Sequence, residues 1–174
     1  MANDGPLNLA APQARLLQAL AAEVRGKTLR VFVSAREDEL TWAPEGTSNH
    51  ILWHAGHSLW LQDALCVRRV TGRSELPAGW AESFGMGSRP ALRVQFWPAR
   101  DEVLRLLREQ LPRLVAVLGG LTDADLDALP RFRAGGDRRR LGECILHGLH
   151  DEANHQGEMY LLLKARRMGR GFTE

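Results

Sequence analysis

Five of the six histidines in this 174-residue chain fall on two helical stripes far apart in sequence. The first lies in Ser48 to Asp63, reading SNHILWHAGHSLWLQD, where His50, His54 and His57 stand at i, i+4 and i+7 on one helical face. The second lies in Leu141 to Arg167, reading LGECILHGLHDEANHQGEMYLLLKARR. On a helix of about 3.6 residues per turn, Asp151 and His155 differ by about 40° and one turn, and His147 extends their face one turn earlier. A carboxylate and an imidazole at that spacing suit one divalent ion. His150 lies about 140° from His155 by the same geometry, so an unbroken helix does not bring those two onto one ion. Two helices that each offer part of a ligand set across a common core are a recurrent way to build a metal site in a helical bundle.

The rest of the chain reads as helices of matching length. A first helix is expected from Pro12 to Ala35, carrying Leu16, Leu17, Leu20, Val24, Leu29, Val31 and Val33, with Gly26 marking a bend or close packing. Glu37 to Gly46 is a connector stopped by Pro44 and Gly46, in which Trp42 is expected to plug the core. The second helix starts after Thr47 or Ser48 and ends at Thr71 and Gly72. A connector from Gly72 to Gln95 follows, and Trp80, Phe84 and Met86 make it more apolar than a solvated linker. It is expected to fold over the bundle, either as a lid on the metal site or as a passive crossover. The third helix runs from about Pro98 to Leu118, with a kink expected at Pro112. Thr122 to Leu129 reads as a short helix capped by Thr122, with Asp125 three residues on.

Composition narrows the function classes. An apolar content of 44% is ordinary for a globular protein, and 174 residues suit one domain spanning the whole chain. The net charge of +2 gives no prior for nucleic acid or a membrane surface. No apolar run approaches a membrane span and no signal peptide is read at the N-terminus. The two cysteines, Cys66 and Cys144, each sit in an expected helix, which points to a reducing cytoplasm rather than a disulfide framework. Arg131 to Arg140 holds five arginines in ten residues, read either as a solvated loop or as an anion-binding rim. Phosphate-loop, dinucleotide and serine-nucleophile motifs are absent from the sequence.

The segments WHAGHSLWLQD, VTGRSELPAGW, FGMGS and HDEANHQGE together resemble the DinB-like (damage-inducible) superfamily, over about Leu16 to Arg167. The resemblance implies an all-α four-helix bundle with a long crossover connection after helix two and a metal near one end of the core. Carried over position by position, it places metal ligands at His57, Asp151 and His155. His155-Gln156-Gly157-Glu158 matches the family's last-helix motif, while Asp151 stands where the family has a histidine. The open third position leaves His150, His147 and His54 as substitutes for Asp151. Glu152 and Glu158 are the neighbouring acids, and Glu152 is read either as orienting a ligand or as a surface residue. The implied cofactor is a divalent metal ion, zinc or nickel, with a low-molecular-weight thiol as co-substrate. The implied function is a metal-dependent transferase acting on a small-molecule substrate with mycothiol, bacillithiol or glutathione. The competing expectations are a non-catalytic stress-response bundle with a structural or vestigial metal, acting as a homodimer or through a partner, and metal-assisted hydrolysis.

Overall fold

The computed structural model describes residues 11–47, 49–88, 97–133 and 137–169. Among these residues the chain is all-helical. The elements are α1 (Pro12–Ser34), α2 (Glu37–Leu40), α3 (Ile51–Gln62), α4 (Arg68–Thr71), α5 (Trp80–Phe84), α6 (Arg100–Gly119), α7 (Asp123–Asp127) and α8 (Leu141–Met168). A single π-helical turn, Asp63–Val67, joins α3 to α4 into one rod. In the bundle, α1 packs on α6 and α8, and α3 packs on α8 and α6.

Local chemistry explains where these elements start and stop. Pro12 opens α1, where a missing N–H costs nothing. Thr122 and Asp125 cap α7 reciprocally. Gly72 ends the α3–α4 rod at φ +83°, a left-handed conformation that glycine adopts without a Cβ penalty. The rod begins differently from the sequence expectation. The cap is His50, whose Nδ1 accepts from the backbone N–H of Trp53 at 3.1 Å. Thr47 instead donates its hydroxyl to the Pro44 carbonyl at 2.9 Å, and Ser48 lies outside the described residues. The helix Pro98 to Leu118 appears as α6, which continues past Pro112 to Gly119. Trp42 is half-buried, with the Arg166 guanidinium 5.3 Å from its ring centre. A Cβ at Gly26 would meet only ordinary contact, so close packing is not what selects that glycine.

The core is divided in two by a polar layer. One apolar cluster holds Phe32, Ile51, Leu59, Trp80, Phe84, Leu107 and Met159. The other holds Ala21, Cys66, Leu114, Leu118, Ile145 and Leu149. Between them each long helix contributes one buried polar side chain: Arg25 from α1, Gln62 from α3, Gln110 from α6 and Glu152 from α8. Arg25 grips Glu152 with Nε to Oε1 at 2.6 Å and Nη2 to Oε2 at 3.0 Å. Arg25 Nη2 also donates to Gln110 Oε1 at 2.9 Å, and Gln62 Nε2 donates to Glu152 Oε2 at 2.9 Å. Glu152 is therefore neither a surface residue nor hydrogen-bonded to a site histidine; it ties the four rods together.

The connector after Gly72 folds onto α3. Asp63 accepts from the backbone N–H of Glu75 at 2.8 Å, Trp80 Nε1 donates to the Gly56 carbonyl at 3.0 Å, and Trp53 Nε1 donates to Ser88 Oγ at 2.9 Å. Gly56 permits this docking, because a Cβ there would lie 2.3 Å from the Phe84 ring. The remainder of the expected crossover, residues 89–96, lies outside the described residues.

Candidate metal centre

The α3 stripe and the middle of α8 face each other on the α5 side of the polar layer. His57 is buried, with its ring stacked on Trp53 at 4.6 Å between centroids and on Trp60 at 5.3 Å. Its Nδ1 lies 2.5 Å from the Phe84 carbonyl oxygen. A carbonyl can only accept, so Nδ1 carries the proton and Nε2 keeps its lone pair. Burial pushes the imidazole down to about 4, partly opposed by the Phe84 carbonyl, so His57 is neutral at pH 7.

His155, from α8, lies next to His57, with ring centroids 4.6 Å apart and planes near perpendicular. Its Nδ1 is 2.8 Å from Glu158 Oε2 and 2.9 Å from His54 Nδ1. His54 Nδ1 in turn lies 3.1 Å from Glu158 Oε2. Burial lowers the His155 pKa, and the neighbouring His54 acts in the same direction. The hydrogen bond with His54 holds the Glu158 carboxyl down to about 2, so it stays ionised. His54, His155 and Glu158 could themselves hold a metal ion, since their ligand atoms lie within 4.8 Å of one another.

Asp151 is half-buried one turn before His155. Its carboxylate lies 3.2 Å from His147 Nε2 and 3.7 Å from His150 Nδ1. Its charge still reaches the other two residues of the expected set, favouring the protonated form of both His57 and His155. His150 is exposed and turned to Asn154. His50 caps α3 and meets the Trp97 ring edge-on at 4.9 Å.

The structure thus places His57 beside His155, with Asp151 on the same α8 face but turned toward His147. The convergence of His54 and Glu158 on the Nδ1 edge of His155 was not read from the sequence. Its signal was available: Glu158 follows His155 by one helical turn at i+3, and His54 precedes His57 by the same spacing.

The arginine-rich segment leads into the N-terminus of α8, and Arg139 still feels the charge of Asp151. Arg140 precedes His155 by fifteen residues on α8, about 22 Å along the axis. Arg139 is paired with Asp137 and Arg140 with Asp127, each at 3.1 Å, and Arg68 covers the Phe132 ring. Residues 134–136 of that segment lie outside the described residues.

A family model described as the DinB superfamily matches residues 20–159, a stretch that contains every residue of the centre. No curated protein matches the chain. Among the described residues, no helix is long and apolar enough to cross a membrane.

Proposed function

The chain belongs to the DinB superfamily, and from that premise we propose that it binds one divalent cation, zinc or nickel, through His57, Asp151 and His155 and catalyses attack of a low-molecular-weight thiol on a small-molecule electrophile. The observation that carries this reading is the state of the two histidines. Each has its Nδ1 taken, His57 by the Phe84 carbonyl and His155 by Glu158 and His54, which leaves Nε2 on both rings for a ligand. Metal-binding imidazoles are typically fixed this way, by a carbonyl or carboxylate on the other nitrogen. Both rings are also held toward the neutral form that a cation requires.

Three protein ligands leave positions open for a substrate atom. His57, Asp151 and His155 would hold the divalent cation, whose chemistry there would be to favour the thiolate form of a thiol. The protein's own groups set the conditions for that. Trp53 and Trp60 sandwich His57 and fix its ring plane. Phe84 and Trp80 close the α5 side against water. Glu158 remains a carboxylate within hydrogen-bonding distance of Nδ1 of both His155 and His54. Cys66 is buried, and burial pushes its thiol far up, so it is not the nucleophile.

A second ligand set, His54, His155 and Glu158, is favoured by the convergence of its three atoms. The two sets share His155 and use opposite edges of its ring. In either case the protein works as one cytoplasmic domain on a small molecule, without nucleic acid or membrane, and a homodimer is compatible with this role.

The test is conjugation of mycothiol, bacillithiol and glutathione to a panel of electrophiles by metal-loaded, chelator-treated and His155→Ala protein. The expected result is turnover by the loaded protein alone, with a rate that reaches its plateau below the free thiol pKa of about 8.5. Equal rates in all three preparations reject the transferase reading and leave a non-catalytic bundle. A chelator that also unfolds the protein marks the metal as structural.

A further inference from the structure

Four buried polar side chains form a closed circuit through the bundle, within about one and a half helical turns of His57. Gln62 of α3 donates Nε2 to Glu152 Oε2 at 2.9 Å and to the Gly148 carbonyl at 3.0 Å, both on α8. Arg25 of α1 grips the two Glu152 oxygens at 2.6 and 3.0 Å. Arg25 also donates to Gln110 of α6 at 2.9 Å, and Gln110 Nε2 returns to α3 at the Leu59 carbonyl, 3.0 Å away. We infer that Gln62 is a positioning residue: the circuit it opens fixes the register of α3 against α8, and with it the placement of His57 against His155. The consequence for a bound cation rests on the metal-centre reading above; the register does not.

Apolar packing alone sets such a register loosely. Ala55, Leu59, Met159 and Leu163 share one cluster, and side chains of this kind repack after a small slide. A buried polar residue at a helix interface admits one register, at a cost in stability. Gln62 has that form. It is fully buried, and its amide nitrogen has two acceptors one turn apart on α8. A slide of one residue, about 1.5 Å, would break both bonds and leave a buried donor unpaired. The carboxylate cannot follow, because Arg25 holds both of its oxygens. Gly148 brings the two rods close at this point, since a Cβ there would lie 3.2 Å from Cys66 Sγ and from Leu65 Cβ. Gln62 follows His57 by five residues and Glu152 precedes His155 by three, about 7.5 and 4.5 Å along their axes. Over so short a span the two rings, 4.6 Å apart between centroids, inherit the register of the circuit. A metal site tolerates only about 0.5 Å of misplacement in its ligands.

Gln62→Met keeps the length of the side chain and removes its amide. Glu152 retains both Arg25 bonds in this variant, so no buried charge loses its partner. Three readings on the full chain separate positioning from stability: the urea midpoint, the nuclear Overhauser effect between the His57 and His155 ring protons in chelator-treated protein, and zinc affinity by isothermal titration. Gln62→Met should keep a midpoint close to wild type, weaken or lose the Overhauser effect, and bind zinc at least about tenfold less tightly. Gln110→Met opens the circuit at the Leu59 carbonyl and should repeat that result, which covers a Gln62→Met protein that fails to fold. Leu118→Ala, in the apolar cluster beyond the layer, should lower the midpoint and leave the other two readings unchanged. An unchanged Overhauser effect in folded Gln62→Met overturns the inference whatever the zinc affinity, and so does its loss in Leu118→Ala. Two unfolded glutamine variants make the circuit purely structural and overturn it as well. A wild-type protein that takes up no zinc removes the metal-centre reading, and an Overhauser effect lost in Gln62→Met then still supports the register.

Discussion

The Nδ1 of His57 donates its proton to the backbone carbonyl of Phe84, so an α5 residue decides which nitrogen α3 presents to the centre. That contact depends on Gly56, because a Cβ there would meet the Phe84 ring at 2.3 Å. Gly56→Ala therefore gains up to about 1 kcal/mol of helix propensity but forces Phe84 outward, an overpacking cost of about 1–3 kcal/mol. The expected net result is a less stable protein whose metal affinity falls by about 10- to 100-fold as His57 loses its fixed tautomer. Urea denaturation and isothermal titration with zinc measure the two effects. An unchanged affinity would show that Phe84 does not orient the ligand.

The polar layer predicts a large, one-sided loss. Glu152→Leu leaves the Arg25 guanidinium buried without its carboxylate, which costs about 3–5 kcal/mol. The double variant Arg25→Met, Glu152→Leu removes both charges and should recover most of that loss. Urea midpoints of the three proteins give the comparison, and a double variant no better than the single one would contradict it.

Acid should destabilise the chelated protein in two stages. His50 and His57 are lowered by burial from 6.5 to about 4 in the folded state. Between those values the unfolded chain takes up protons that the native chain does not, so stability is complete above pH 6.5 and falls on the way to pH 4. Each histidine contributes on the order of 3 kcal/mol to that fall. Glu39, held down from 4.5 to about 2 chiefly by hydrogen bonding from Arg167, then gives up its share as pH falls from 4.5 to 2. Urea midpoints at intervals from pH 7 to 3 should show both stages, and His57→Gln should flatten the first. A wild-type curve level from pH 7 to 4 would contradict the burial of both rings as neutral groups.

Much of the fold was legible because its signals are local. Pro12, Thr122 with Asp125, and Gly72 act through their own backbone geometry, so reading their sequence neighbours is enough. Helical periodicity likewise put His57 on one stripe and His155 on another, and the structure brings the two rings within 4.6 Å. Periodicity does not say how one helix is rotated against the next. That rotation brings His54 of α3 onto the Nδ1 edge of His155, whereas Asp151 with His147 and Glu158 with His155 pair within α8 at i+4 and i+3. The pairing of Arg25 with Glu152 spans 127 residues, a separation at which no local rule operates. Nor did propensity favour His50 over Thr47 or Ser48 as the α3 cap; its ring is selected there by burial against Trp97 as well as by the cap itself.

Asp151→His puts a third imidazole at the proposed ligand position. Imidazole ranks well for zinc and nickel, so affinity for either should be kept or raised. Titration of a variant shown to be folded by circular dichroism is the check. A large loss would remove position 151 from the ligand set.

The central claim is that the cation lies on the Nε2 edge of His155, with His57, rather than on its Nδ1 edge, with His54 and Glu158. Elemental analysis of purified, untagged His57→Ala and His54→Ala proteins, each shown to be folded, separates the two sets. The account predicts that His57→Ala loses stoichiometric zinc or nickel, as His155→Ala does, while His54→Ala and His150→Ala retain it. Metal lost from His54→Ala and retained by His57→Ala would contradict it.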